Sequence, residues 1–259
     1  MPKAHTLRVE QVMGTAISVD VRDRGISPAV LDEVFAWFRR VDETFSTYKA
    51  QSPISRLGRG EIALADCDDD VAWVLARCEE IRHATGGYFD AWATGTLDPS
   101  GLVKGWSVEV ASALLAARGS ANHCINAGGD IRLRGEPEPG RAWQAGIAHP
   151  LFPGSLTVVV AGRDLAVATS GIAERGRHVI DPIRRQPAAA LASVTVVGSQ
   201  LTETDAYATA ALAMGLDAPG WLERLADHEA YVIDAGGHVW WTAGFARFAP
   251  ALTGKPQPQ

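Results

Sequence analysis

The sequence holds only three cysteines, Cys67, Cys78 and Cys124, odd in number and without CxxC spacing. That excludes a disulfide framework and a cysteine zinc site, and it leaves Cys124, inside an apolar run, as a small core residue. No basic run occurs in a chain of formal net charge −6, with 24 Lys+Arg against 30 Asp+Glu, so there is no nucleic-acid footprint. An acidic chain can hold a phosphorylated ligand only with local help from backbone amides, placed cations or a metal. No apolar stretch approaches the length of a membrane span, and the N-terminal MPKAHTLRVEQVMGT lacks a signal-peptide core. The expectation is a cytoplasmic protein with no nucleic-acid and no membrane partner. Neither GxGxxG nor GxxxxGK[ST] is present, and no repeat of fixed period appears.

What is present is ordinary globular material, 47% hydrophobic and 21% charged. A length of 259 residues fits a single domain, or two interlocked lobes, with a frayed tail over 251–259. Residues 6–23 read as two strands around Met13-Gly14-Thr15, with period-two alternation over 16–21. Ser27-Pro28 opens a helix whose Leu31, Val34, Phe35, Phe38 and Val41 share one face. FSTYKAQSPISRLGRG reads as a turn-rich loop. A second amphipathic helix spans 66–85 and ends at Gly86-Gly87. Strands follow over 143–148, 156–161, 165–168 and 192–198, with Thr169-Ser170-Gly171 breaking the third. An Ala-rich helix starts at Thr202, a shorter one covers 219–226, and two last strands flank the Asp234-Ala235-Gly236-Gly237 turn. Strands joined by both turns and helices predict an α+β fold with mostly antiparallel sheet.

The chain is organised around residues 98–135, DPSGLVKGWSVEVASALLAARGSANHCINAGGDIRLRG. Ser100 and Gly101 start a helix, so free amides and the positive dipole end face the preceding loop, with Lys104 close by. That combination suits a phosphate, and it equally suits plain capping and solubility. Gly128-Gly129-Asp130 then lets backbone approach a ligand beside a carboxylate.

Thr202-Glu203-Thr204-Asp205-Ala206-Tyr207-Ala208-Thr209 is the second constellation. Thr202 or Thr204 can cap its helix. Asp205 and Thr209 stand at i and i+4, so their oxygens share a face. One carboxylate with one hydroxyl is a partial shell for Mg²⁺, and it also describes a capped helix whose Asp offsets the dipole. His178, three residues before Asp181, can be a general base, a phosphate-binding cation or a surface turn residue.

Taken in order, these stretches resemble the ApbE family of flavin transferases, the FAD:protein FMN transferases. They are Met13-Gly14-Thr15, FSTYKAQSPISRL, Gly87-Tyr88-Phe89-Asp90, SGLVKGWSVE, INAGGDIRLRG, WQAGIAHP, ATSG, HVIDP and SVTVVGSQLTETDAYATAALAMG. Each is unspecific alone, but their joint order across the chain is not. The resemblance implies an ApbE-like (T-fold-like) architecture. It implies Mg²⁺ held by Asp205, Thr209 and the Gly101 carbonyl. FAD would be held by Met13, Tyr48, Asp90, Lys104, Glu109, Gly128, Gly129, Asp130 and Thr169, with Tyr48 stacked on the isoalloxazine. His178, Lys104 and Asp205 would be the catalytic residues. The implied reaction moves FMN from FAD to a Thr or Ser hydroxyl of an acceptor flavoprotein and releases AMP.

Three departures touch the flavin end: a short segment between Asp90 and Asp98, Glu109 where the family usually has Asp, and Arg184-Arg185 where Thr-Gly is common. Two other readings keep the pocket: an FAD pyrophosphatase releasing FMN and AMP, and a non-catalytic FAD-binding protein.

Overall fold

The computed structural model describes residues 5–172 and 179–252. The chain opens with a hairpin, β1 (Thr6–Val12) and β2 (Thr15–Val21), followed by α1 (Pro28–Phe45), α2 (Pro53–Gly58), α3 (Asp69–Ala84) and α4 (Ser100–Ala117). Next come β3 (His123–Ala127), β4 (Asp130–Arg134), β5 (Trp143–Ala148), β6 (Leu156–Gly162), β7 (Leu165–Gly171), β8 (Ile180–Asp181) and β9 (Gln186–Pro187). The last elements are β10 (Leu191–Gly198), α5 (Leu201–Met214), α6 (Ala218–Leu222), β11 (Glu229–Asp234) and β12 (Val239–Trp241). Eight strands form one sheet in the order β1-β2-β3-β4-β7-β10-β11-β12, every neighbouring pair antiparallel. The α+β expectation holds.

Alternation along the strands divides the core in two. Val19 and Val21 of β2, Ile125 and Ala127 of β3, Ala166 and Ala168 of β7 and Val194 and Val196 of β10 lie under the helices. The opposite face buries Ile131, Leu133, Val167, Val197 and Ile233 against Trp143 and Val160 of the β5–β6 hairpin and against Phe245. With both faces covered, β10 is buried at every position, the polar Ser193 and Thr195 included. β4 breaks this pattern. Its alternate positions Asp130 and Arg132 are polar and buried, in the layer facing α4 and α5.

Local chemistry explains most helix starts. The Ser27 hydroxyl accepts from Ala29 N at 3.3 Å with Pro28 in the first turn of α1. Ser52 caps α2 in the same way, accepting from Ser55 N at 3.2 Å, so the segment expected to be loop contains a helical turn. Three boundaries differ from the sequence expectation. α3 begins at Asp69, after a 3₁₀ turn over Leu64–Asp66, and α6 stops at Leu222. β7 runs on through Thr169-Ser170-Gly171, because Gly171 still pairs with Ser193 of β10. Burial pushes the Cys78 and Cys124 thiols up to about 12, consistent with inert core cysteines. No helix among the described residues is long and apolar enough to cross a membrane. His178 and the tail from 253 onward lie outside the described residues.

Candidate active site

Two tight turns and two helix starts converge around β4. The β1–β2 turn carries Met13 and Gly14 at φ 55° and 72°, and the β3–β4 turn carries Gly128 and Gly129 at 58° and 92°. Both demand left-handed backbone, which glycine supplies without strain. The turns abut: a Cβ on Gly128 would stand 2.5 Å from Thr15 Oγ1. Met13 reaches α4, where its Sδ accepts from the Ser107 hydroxyl at 3.7 Å. Gly129 N donates to Asn126 Oδ1 at 2.9 Å, which pins the second turn.

Asp130 leaves that turn as the first residue of β4 and meets Lys104, with Nζ 2.6 Å from Oδ2. Its other oxygen accepts from Thr169 N at 3.3 Å. Asp205, on the second turn of α5, faces the same spot. Its Oδ2 accepts from Gly105 N at 2.9 Å and its carboxyl is a hydrogen-bond neighbour of Asp130. Glycine is required at 105, because a Cβ there would collide with the Leu201 carbonyl and lie 2.8 Å from Asp205 Cβ. Burial first, and then the facing Asp130 charge, push the Asp205 carboxyl well above the usual carboxylate range; Lys104 and the Gly105 amide only partly offset this.

One turn along α5, the Thr209 hydroxyl lies 3.2 Å from Ser170 Oγ. Gly101 sits against it, since a Cβ there would be 3.6 Å from Thr209 Oγ1 and 3.2 Å from the Phe89 ring. Asp205 and Thr209 thus share one face of α5, and Gly101 packs against Thr209. Among the described residues no cluster of three or more His, Cys, Asp or Glu could hold a metal alone. The donor set still fits a hard, oxygen-seeking cation. Two neighbouring buried carboxyls share one lysine, and the Thr209 and Ser170 hydroxyls lie one turn along.

Other expected residues are placed differently. One helix-start amide of α4 is already taken, as Ser100 N donates to Asp98 Oδ1 at 3.0 Å, and Lys104 turns to Asp130. Neither Thr202 nor Thr204 caps α5. Thr204 Oγ1 donates back to the Gln200 carbonyl at 2.6 Å, and Leu201 N instead donates to Glu109 Oε2 at 2.7 Å. Thr169 turns its hydroxyl to Thr195 on the far face of the sheet, at 2.9 Å, so only its amide serves the corner. Asp90 accepts from Trp92 N at 2.9 Å, and Tyr48 stands 95% exposed on the 46–52 segment. Sequence reasoning missed Gly105 and Arg132. The available signal was polar Asp130 and Arg132 alternating with Ile131 and Leu133 in a strand whose neighbours are apolar.

The ApbE family matches residues 13–95 and 91–233 of this sequence. This chain belongs to the ApbE family. A relative from Vibrio cholerae, named FAD:protein FMN transferase, is 33% identical over 129 residues, which cover 46% of this chain and 39% of that protein. One of the same name from Haemophilus influenzae is 25% identical, with 80% of each chain covered. Among solved structures, the ApbE protein of Thermotoga maritima has a TM-score of 0.83 at 19% identity, covering 95% of this chain and 99% of that one. The ApbE fold is therefore shared over nearly the whole described chain.

Proposed function

We propose that this chain is an Mg²⁺-dependent FAD:protein FMN transferase that passes FMN to a Thr or Ser hydroxyl of an acceptor flavoprotein. The observation that supports it most is the buried corner of Asp130, Asp205 and Lys104, where two carboxyls share one lysine and Asp205 is pushed toward its neutral form. Such a corner is short of positive charge, and phosphoryl transfer needs charge neutralisation and positioning above all.

Asp205, Thr209 and the Gly101 carbonyl would hold the ion, which when bound would neutralise charge on the pyrophosphate. Lys104, kept in place by Asp130, would offer its ammonium to the phosphates. Met13, Gly128 and Gly129 let backbone approach the dinucleotide, while Tyr48 and Asp90 are carried over from the resemblance as flavin-side residues. His178, from the same resemblance, would accept the proton of the attacking hydroxyl. The acceptor oxygen then bonds to the FMN phosphorus, the pyrophosphate P–O bond breaks, and AMP leaves. We also propose a reducing, cytoplasmic setting, in keeping with three free cysteines.

The test is incubation with FAD and Mg²⁺, with and without an acceptor carrying a Thr or Ser site. AMP that appears only with acceptor, together with an FMN-sized mass gain on it, is the expected result. AMP without acceptor would make the chain a pyrophosphatase; bound FAD with no AMP would make it a binding protein.

A further inference from the structure

We infer that Glu109 is a positioning residue, one that sets the distance between α5 and β4 and thereby the spacing of Asp205 and Asp130. This rests on the reading of that corner given above.

Two polar rungs cross the interface of α4, β4 and α5. The first is Lys104 to Asp130 to Asp205, closed by Gly105 N. The second lies one turn further along α4 and two residues further along β4. There Glu109 Oε1 accepts from Arg132 Nε at 2.9 Å, and Oε2 accepts from Leu201 N at 2.7 Å. Each half of this rung is obligatory. The Arg132 side chain is 4% exposed, and a buried guanidinium without a carboxylate is strongly unfavourable. Leu201 is fully buried at the start of α5, and the N-cap Gln200 offers no side-chain bond. Its amide would be an orphan donor without Glu109, whose charge also suits the positive helix end.

Leu201 is thus held at its amide by Glu109, and its carbonyl packs so closely on α4 that a Cβ at Gly105 would stand 2.4 Å from it. Asp205 follows one helical turn later, so the position of Leu201 fixes where Asp205 stands. Both Glu109 oxygens are committed inside the fold rather than offered to FAD. An aspartate, one methylene shorter, could not span both partners at these distances.

The test uses the full chain as wild type, Glu109→Asp, Glu109→Gln and the double variant Glu109→Ala/Arg132→Met, which removes the buried charge together with its partner. Mn²⁺ binding is measured without FAD, FAD binding is measured in chelator, and amide exchange is followed over residues 201–205. The expected result is a cation Kd raised about 10-fold in all three folded variants, the scale seen when groups that orient metal ligands are removed. Exchange over 201–205 speeds up, and FAD affinity in chelator stays within about twofold of wild type. Unchanged Mn²⁺ affinity with only a lower Tm would overturn the inference, leaving Glu109 a structural residue. Weakened FAD binding in chelator would overturn it too, making Glu109 a ligand contact. A wild type that binds no Mn²⁺ would overturn the site reading itself, an outcome read from the wild type alone.

Discussion

Asp205 and Tyr48 were both expected to serve the same ligand, yet they stand in opposite conditions. Asp205 is 3% exposed, bonded to the Gly105 amide and pressed against Asp130. Tyr48 is 95% exposed, on a segment held by Lys49 to Asp42 and Glu43 and by Ser52 to the Ser46 carbonyl. The charge-handling corner is set by the same contacts that fold the protein, so its geometry needs no ligand to form. The aromatic residue has its backbone anchored and its ring in solvent, so burying that ring is binding energy still available to a ligand. The contrast implies that substitutions in the corner change turnover and stability together, whereas those at Tyr48 change affinity alone.

The largest effect expected is for Asp205→Ala. Losing the proposed metal carboxylate should lower FAD turnover by at least about 10²–10³-fold at limiting Mg²⁺, with partial recovery in excess Mg²⁺. Full activity of that variant in chelator would break the comparison at its buried end. Next is pH. His123 lies buried beneath α4 with Ser112 at 2.8 Å and Ser120 at 3.0 Å, and burial, then Arg134 and Arg132, push it down to about 4. The unfolded chain binds that proton near pH 6.5, so this contribution is complete above 6.5 and is lost as pH falls toward 4. The loss amounts to about 3 kcal/mol by denaturant titration. A His123→Gln variant should lack that slope.

Gly105→Ala should destabilise by about 1–3 kcal/mol, since its methyl meets the Leu201 carbonyl and Asp205 Cβ, and kcat should fall with Tm. Tyr48→Ala should leave Tm unchanged and weaken FAD binding by about 1 kcal/mol, roughly fivefold in Kd, the scale of one aromatic stacking contact. A drop in Tm there would mean the exposed ring supports the fold.

Much of the fold was legible because its signals are local. Ser27-Pro28 marks a helix start, a period-two run marks β2, and Asp205 with Thr209 at i, i+4 marks a shared face. What the sequence could not disclose depends on residues far apart in the chain. Glu109 capping α5 joins positions 92 apart, and Gly105 meeting Asp205 joins positions 100 apart. Thr169 and Ser170 looked equivalent until pairing with β10 placed one hydroxyl on each face of the sheet. The α4 start looked free to bind phosphate because the bond its Ser100 amide donates to the Asp98 side chain is not marked in the sequence.

The most direct test of the central claim is a crystal structure of the chain with FAD and Mn²⁺, read by anomalous scattering. The account predicts one strong peak within bonding distance of Asp205 and Thr209 oxygens, with the pyrophosphate beside Lys104. A peak elsewhere, or bound FAD with its phosphates away from that corner, would contradict it.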